Sequence, residues 1–320
     1  MHAEKTLTSL RIVAPARLHL GFLDLNGSLG RQFGSIGLAI DQPSTTITIT
    51  PAPTDTTSGP DAARATRALA RLKNALAVEN TYGVAIESAI PAHAGLGSGT
   101  QLALAVSTGL AKFENLPHTN DELGELHARG ARSAIGIGAF TQGGFIVDGG
   151  KGNSNAPPPI LSRMDFPQAW RVILVLDPNA KGVHGDSETN AFDNLQPMTQ
   201  NQSSEMCRRA LMQMLPGIAE RDITQFGAAI TEIQRHVGAH FAPAQGGDIW
   251  ASSAVATLIK RAGSLGAHGI GQSSWGPTGF AFVESAQVAE NIYHSLVEDA
   301  KGMGLDILIA RGRNEGAAIS

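Results

Sequence analysis

The segment Pro91-Ala92-His93-Ala94-Gly95-Leu96-Gly97-Ser98-Gly99-Thr100-Gln101 spaces three glycines at alternate positions, directly ahead of an Ala/Leu-rich stretch. Glycines let a backbone turn through positive φ and approach a ligand closely. The helix predicted over Gln101–Phe113 would aim its free N–H groups and positive dipole end at the same point. Pyrophosphate or triphosphate is the natural guest, held by Gly95, Leu96, Gly97, Gly99 and Gln101. Ser98 and Thr100 add hydroxyl donors, or one of them (Ser98) a magnesium contact. The plain alternative is a glycine-rich turn that only caps a helix. No Lys follows the last glycine, so this is not a Walker loop. The spacing also differs from the dinucleotide fingerprint.

Other residues carry chemistry at useful spacings. Arg17 and His19 stand two apart in a predicted strand, hence on one face. Arg17 would grip a phosphate or carboxylate bidentately, and His19 would donate to the same anion. The competing reading makes Arg17 a brace between lobes and His19 a satisfied core histidine. Lys181, His184, Asp186 and Glu188 follow a buried strand, where α/β folds gather their ligand sites. A cation, an imidazole and two acids there suit a phosphate with magnesium, Asp186 being the metal candidate. The alternative is a solvated loop with a helix N-cap at Asp186. Ser273, Ser274, Trp275 and Gly276 would shape a pocket beside the loop, with Trp275 stacking on an aryl ring or serving the core. Asp24 and Arg31 are weaker candidates. His236 and His240 lie four apart, but no Glu completes a zincin motif, and they read as structural.

These residues need elements to place them. The chain has 320 residues, long for one domain, so two lobes divided near Phe166 (1–165 and 166–320) are expected. Hydrophobic residues make up 42% and charged residues 16%, with 37 Gly and 16 Pro, an α/β, turn-rich composition. Strands are predicted at Leu10–Val13, Arg17–Leu25, Ile36–Ile40, Thr45–Thr50, Gly83–Ser88, Gly144–Asp148, Val172–Leu176, Phe280–Val283 and Ile307–Ala310. Helices are predicted at Asp61–Val78, Gln101–Phe113, Asp121–Arg129, Ser203–Leu215, Ile223–Val237, Ile249–Ala262 and Ala286–Ala300. Gly149–Pro159 reads as a loop or hairpin tip. A net charge of −4 argues against a nucleic-acid backbone as partner. The single Cys207 excludes an internal disulfide, and no run approaches the ~20 apolar residues of a membrane span, so the cytoplasm is the expected location.

Three segments together resemble the GHMP superfamily of galactokinase, homoserine kinase and mevalonate kinase. Pro-x-x-x-Gly-Leu-Gly-Ser-Gly, from Pro91 to Gly99, is similar to the family's second motif. Ala14–Gly21 resembles its first, and Gly271–Phe280 its third, in the right order. The resemblance implies a two-lobe α/β (α+β) fold, with the phosphate loop in the first lobe and a ferredoxin-like second lobe. Many of these kinases place an Asp in a Ser-Gly-x-Asp segment to activate the attacking hydroxyl. The matching segment here is Ser133-Ala134-Ile135-Gly136, so a glycine stands where that acid would be. Homoserine kinases also manage without it.

The detailed pattern is closer to one branch, the β-ribofuranosylaminobenzene 5′-phosphate synthases of tetrahydromethanopterin biosynthesis and one-carbon metabolism. Ala16–Asp24, Gly130–Gly144, Lys181–Glu188 and Ser273–Pro277 carry that resemblance. It implies a decarboxylating glycosyltransferase that joins phosphoribosyl pyrophosphate to 4-aminobenzoate or 4-hydroxybenzoate, a benzoate derivative, releasing carbon dioxide and pyrophosphate. Arg17, His19, Lys181, His184 and Glu188 would then be catalytic, with Mg2+ on the pyrophosphate and a homodimer as the assembly. Two rivals are an ATP-dependent small-molecule kinase and a non-catalytic regulator that binds a small ligand.

Overall fold

The computed structural model describes residues 7–180, 182, 191–192 and 194–320. Its first lobe rests on two long strands, β1 (Leu10–Asp24) and β2 (Phe33–Pro51), paired antiparallel. Each is one continuous strand where the sequence suggested two. The register jumps between Pro15 and Ala16, whose partners are Ser44 and Ile40, so residues 41–43 bulge from β2. The three extra residues switch the β2 partners of the even-numbered β1 residues from odd (Ile47, Ile49) to even (Leu38, Ile40). Ile12 and Ala14 accordingly pack in one core with Ile47 and Ile49, whereas Ala16, Leu18 and Leu20 pack in another with Leu38 and Ile40.

The strands β3 (Thr56–Ser58), β4 (Tyr82–Ser88), β5 (Phe145–Asp148), β6 (Ile160–Met164) and β11 (Ala318–Ile319) complete a seven-stranded sheet. Helices α1 (Ala62–Leu76), α2 (Ser98–Phe113), α3 (Asn120–Leu126) and α4 (Ile135–Thr141) belong to this lobe. Leu69 and Leu72 of α1 meet Leu102, Val106 and Leu110 of α2 over Ile12 and Ile49. Gly109 lets α2 lie close to the sheet, since a Cβ there would stand 2.3 Å from Ile49 Cδ1.

The second sheet runs β10-β7-β9-β8, all antiparallel: β7 (Arg171–Leu176), β8 (His268–Gln272), β9 (Gly279–Val283) and β10 (Asp306–Ala310). Alternation along β7 divides its two faces. Val172 and Leu174 face the core shared with the first lobe, and Ile173 and Val175 face the helices α8 (Ser253–Ser264) and α9 (Ala286–Gly302). Between the two sheets lie α5 (Gln200–Arg209), a π-helical turn (Ala210–Met214), α6 (Leu215–Glu220) and α7 (Ile223–Phe241). Phe226 of α7 packs on Phe145 of the first lobe and on Phe282 of the second. Strands β1–β6 precede Phe166 and β7–β10 follow it, while β11 returns to pair with β1. Among the described residues no helix is long and apolar enough to cross a membrane.

Candidate active site

The glycine-rich loop joins β4 to α2, and the helix begins at Ser98, three residues earlier than periodicity suggests. Ser98, Gly99 and Thr100 therefore form its first turn, with Gly97 as the left-handed N-cap at φ 83. Thr100 and Gln101 donate back to Gly97 O, at 3.0 and 3.1 Å. The N–H groups of Ser98 and Gly99 make no backbone hydrogen bond among the described residues. Two N–H groups at the open end of a 16-residue helix are the groups an anion takes.

The loop is clamped from behind by the turn after β8. Ser273 Oγ donates to Gly95 O at 2.6 Å and accepts from His19 N–H at 3.0 Å. Thr278 Oγ1 donates to Ala94 O at 2.7 Å. Gly95, at φ +78, lies against that turn so closely that a Cβ would stand 2.2 Å from Ser273 O. Ser273 is fully buried with its hydroxyl committed on both sides, so it fixes the loop to β1. Ser274 donates its N–H to His19 O at 3.1 Å, and Gly276 leaves room for Ala94 O, 2.3 Å from where a Cβ would be. Trp275 is buried in an aromatic group, its ring 4.2 Å from Phe241 and 5.5 Å from Phe192. Its indole Nε1 has no hydrogen-bond partner among the described residues.

Arg17 reaches the loop from β1, where Nη1 donates to Gly95 O at 2.5 Å. Its Cγ lies 3.0 Å from where a Cβ of Gly97 would be. His19 is almost wholly buried against Phe22, with ring centroids 4.6 Å apart. Burial, and then the charge of Arg17, push its pKa down to about 3, so the imidazole is neutral at neutral pH. The structure thus brings Arg17 and the loop into contact and sets His19 behind them beside Ser274 and Trp275. Lys181, His184, Asp186 and Glu188 lie outside the described residues.

Gly136 sits in the first turn of α4 and touches α2. Its carbonyl accepts from Gln101 Nε2 at 2.8 Å, and a Cβ would meet Thr100 Cγ2 at 3.0 Å. Thr100 crowds the position that the first carbon of a side chain at Gly136 would take. Asp148 holds this segment in place, accepting from Ala134 N (2.8 Å), Ser35 N (2.8 Å), Gly150 N (2.9 Å) and Ser133 Oγ (3.3 Å).

Sequence reasoning passed over the arginines around Gly99. Arg64 of α1 donates through Nη1 to Asp61 Oδ2 at 2.8 Å and to Ser98 Oγ at 3.3 Å. A Cβ on Gly99 would stand 2.5 Å from Arg64 Nη2 and 3.0 Å from Arg129 Nη2. With Arg67 and Arg71 these line a cavity of about 230 Å³ at the helix N-terminus. The signal was present in α1, whose Arg64, Arg67 and Arg71 follow i, i+3, i+7 spacing on one face.

The weaker candidates are local clips. Asp24 Oδ1 accepts from Asn26 N and Gly27 N at 2.7 and 3.1 Å, and Arg31 donates to Gly149 O and Gly150 O at 2.7 Å each. His236 bonds Arg235 at 3.1 Å, and His240 packs beside Phe241. Among the described residues no three His, Cys, Asp or Glu side chains gather to hold a metal. Guanidinium and hydroxyl groups at the loop suit an anion, or an anion already carrying its magnesium, better than a bare cation.

The chain matches the GHMP kinases N terminal domain over residues 63–144 and the GHMP kinases C terminal domain over residues 214–301. It is 34% identical to the β-ribofuranosylphenol 5′-phosphate synthase of Archaeoglobus fulgidus, across 97% of this chain and 99% of that one. The chain belongs to the GHMP kinase superfamily, in the family of these synthases. The synthase of the same name from Methanothermobacter thermautotrophicus is 31% identical, across 96% of this chain and 98% of the relative. Among solved structures, homoserine kinase from Cytophaga hutchinsonii superposes with a TM-score of 0.71 at 17% identity, each chain covered in full. Mevalonate diphosphate decarboxylase from Staphylococcus aureus gives 0.68 at 15%, with 98% of each chain covered. At these identities the shared property is the GHMP fold. The synthases match across nearly the whole of this chain, both lobes included.

Proposed function

We propose that this enzyme condenses phosphoribosyl pyrophosphate with a 4-substituted benzoate, releasing carbon dioxide and pyrophosphate. The phenol in the relatives' name favours 4-hydroxybenzoate over 4-aminobenzoate as the acceptor. One observation of the site carries the proposal: a glycine-rich loop backed by arginines stands beside Gly136, which offers no hydroxyl-activating acid and is crowded by Thr100.

The chemistry accounts for that combination. The bond from ribose C1 to the pyrophosphate oxygen breaks, its electron pair leaving on the pyrophosphate. The ring carbon bearing the carboxylate supplies the pair for the new carbon–carbon bond. The carboxylate then departs as carbon dioxide, and its bonding pair restores the aromatic ring. No hydroxyl proton is removed, so no general base is needed for the attack. What the site must supply is charge stabilisation for the leaving group. The N–H groups of Ser98 and Gly99, with Arg64, stand ready for it, and Arg17 fixes the loop that presents them. Neutral His19 and Trp275 line a narrow recess of about 20 Å³ beside β1, on the side from which the acceptor would approach. Magnesium bound to the pyrophosphate would spread its charge further, with Ser98 and Asp186 as protein donors. A homodimer and a cytoplasmic location belong to the same proposal.

The test is incubation of purified protein with magnesium, phosphoribosyl pyrophosphate and either benzoate, following carbon dioxide release. Parallel reactions hold ATP with homoserine, mevalonate or galactose. Carbon dioxide release that needs both substrates, and is lost in Arg17→Ala, is the expected outcome. Phosphorylation in the ATP reactions with silence in the first would overturn the proposal.

A further inference from the structure

Beyond the loop itself, the row of arginines on α1 continues away from the α2 N-terminus. Arg64 touches Ser98, but Arg67 and Arg71 lie one and two turns further on and line the outer part of the same cavity. The helical rise puts Arg64 and Arg71 about 10 Å apart. Arg129 enters from the opposite wall beside His127, and Ala68, Leu102 and Ala103 make a small, apolar floor. Arg67 and Arg71 form no ion pair or hydrogen bond among the described residues. Burial first, and then the charges of Arg71 and Arg129, push His127 down to about 4, so the positive field of the row extends to the cavity wall. In a chain of net charge −4, such a concentration of like charge around a cavity is costly unless an anion joins it.

We propose that this cavity is a second anion subsite, which takes the 5′-phosphate of the donor sugar on Arg67, Arg71 and Arg129. The inference rests on the proposed donor, a ribose with phosphate groups at both ends. The leaving pyrophosphate needs a fixed dipole that strengthens as charge develops, and the α2 N-terminus supplies one. The 5′-phosphate keeps its charge through the reaction, so mobile guanidinium groups suffice for it. The apolar floor between the two ends suits the face of the sugar ring. Binding at both ends fixes C1 at the loop, with the acceptor approaching from the side of Arg17 and His19.

The experiment uses the full chain, with ribose 5-phosphate, inorganic phosphate and inorganic pyrophosphate as separate calorimetric probes. The variant Arg67→Gln/Arg71→Gln removes two exposed charges, and Arg208→Gln, whose side chain is 74% exposed on α5, controls for the loss of a surface charge elsewhere. The expected result is a loss of roughly tenfold or more in ribose 5-phosphate affinity in the double variant. KM for phosphoribosyl pyrophosphate rises in parallel with kcat held, pyrophosphate affinity is retained, and Arg208→Gln matches the parent. Inorganic phosphate binding as tightly as ribose 5-phosphate would overturn the sugar-phosphate assignment. So would equal losses for pyrophosphate and ribose 5-phosphate, or no loss for either. If the protein turns over phosphoribosyl pyrophosphate but the double variant is unaffected, the subsite falls and the proposed function stands. If turnover is absent but ribose 5-phosphate binding still depends on the two arginines, the subsite stands and the proposed reaction falls.

Discussion

Replacing Gly95 by alanine measures how firmly the second lobe holds the glycine-rich loop. Two costs add at this position. The first is backbone strain: at φ +78 an alanine costs about 1–2 kcal/mol. Gly246 shares that φ of +78 with nothing within 4 Å of its would-be Cβ, so Gly246→Ala reports the strain alone. The second cost belongs to Gly95, whose added Cβ meets backbone on the facing turn, Ser273 O at 2.2 Å and Gly276 Cα at 2.9 Å. Neither can swing aside as a side chain would. The loop must retreat, which breaks the bonds that Gly95 O accepts from Arg17 Nη1 at 2.5 Å and Ser273 Oγ at 2.6 Å.

One charge-assisted and one neutral hydrogen bond together contribute about 2–4 kcal/mol. With strain, Gly95→Ala is expected to lose about 3–6 kcal/mol against about 1–2 for Gly246→Ala. At roughly 2 °C per kcal/mol for a chain of this size, the melting points fall by roughly 6–12 °C and 2–4 °C. A loop displaced by ~1 Å also costs turnover, on the order of 10²-fold. Gly97→Ala separates the two effects, because its Cβ meets the flexible Arg17 Cγ at 3.0 Å. It should melt near Gly246→Ala while losing activity like Gly95→Ala. Urea unfolding and calorimetry on the three variants decide the matter. A Gly95→Ala protein no less stable than Gly246→Ala would refute the clamp.

Buried His19, held at about 3, takes up a proton on unfolding anywhere between that value and its ordinary 6.5. The unfolded state binds more protons there, so stability falls as pH drops through that window, by about 1 kcal/mol from His19 between pH 7 and 5.5; urea midpoints for the parent and His19→Gln should show a flatter fall in the variant, and identical slopes would count against it. Asp148→Asn puts an amide donor among four donors, those of Ser35, Ala134, Gly150 and Ser133, and is expected to lose about 2–4 kcal/mol by urea unfolding; a loss under ~1 would mean the carboxylate is not the hub of the α4 N-terminus. Gly136→Asp places an acid at the kinase position, yet its Cβ stands 3.0 Å from Thr100 Cγ2, so a stability loss of about 1–3 kcal/mol and no ATP-dependent phosphorylation of mevalonate or galactose are expected. Phosphorylation by that variant would show that the missing acid alone separates this site from a kinase.

Elements with strong periodicity were legible from the chain. The stripe Leu69, Leu72, Leu76 announced α1, and the continuous apolar run Val172–Leu176 announced β7. The missed elements are those that tertiary contacts create. Helix α4 carries Gly136 and Gly138, poor helix formers, and stands because Asp148 holds the N–H of Ala134 at its start. Strand β8 contains Gly269 and Gly271, which leave room for α7: a Cβ on Gly271 would stand 2.4 Å from Gln234 Cγ. Strand β11 is two residues long and exists only because β1 offers an edge to Ala318 and Ile319. Strand β6 is one exposed edge paired to β5, with Leu161 open to solvent. The loop and Arg17 were legible because glycine spacing is a local signal. Arg129 was not, since it comes to Gly99 from an irregular segment some thirty residues on in the chain.

The third glycine-rich segment is where sequence likeness and physical role diverge most. Its residues invited a pocket beside the loop, yet the hydroxyls of Ser273 and Thr278 both end on loop carbonyls, at Gly95 and Ala94. Ala94 O also fills the space a side chain on Gly276 would need. Those bonds turn the carbonyls of Ala94 and Gly95 back into protein, while Gly97 O, whose peptide carries the Ser98 N–H, is taken by Thr100 and Gln101. A peptide cannot present both ends to the same ligand, so anchoring one end orients the other. The second lobe therefore acts on the site by fixing the loop ahead of the α2 N-terminus. The choice of chemistry falls to the opposite wall, where Gly136 supplies no acid and Arg64 and Arg129 press on Gly99. A superfamily can keep the clamp and exchange the wall, and in this chain the wall suits a departing polyphosphate.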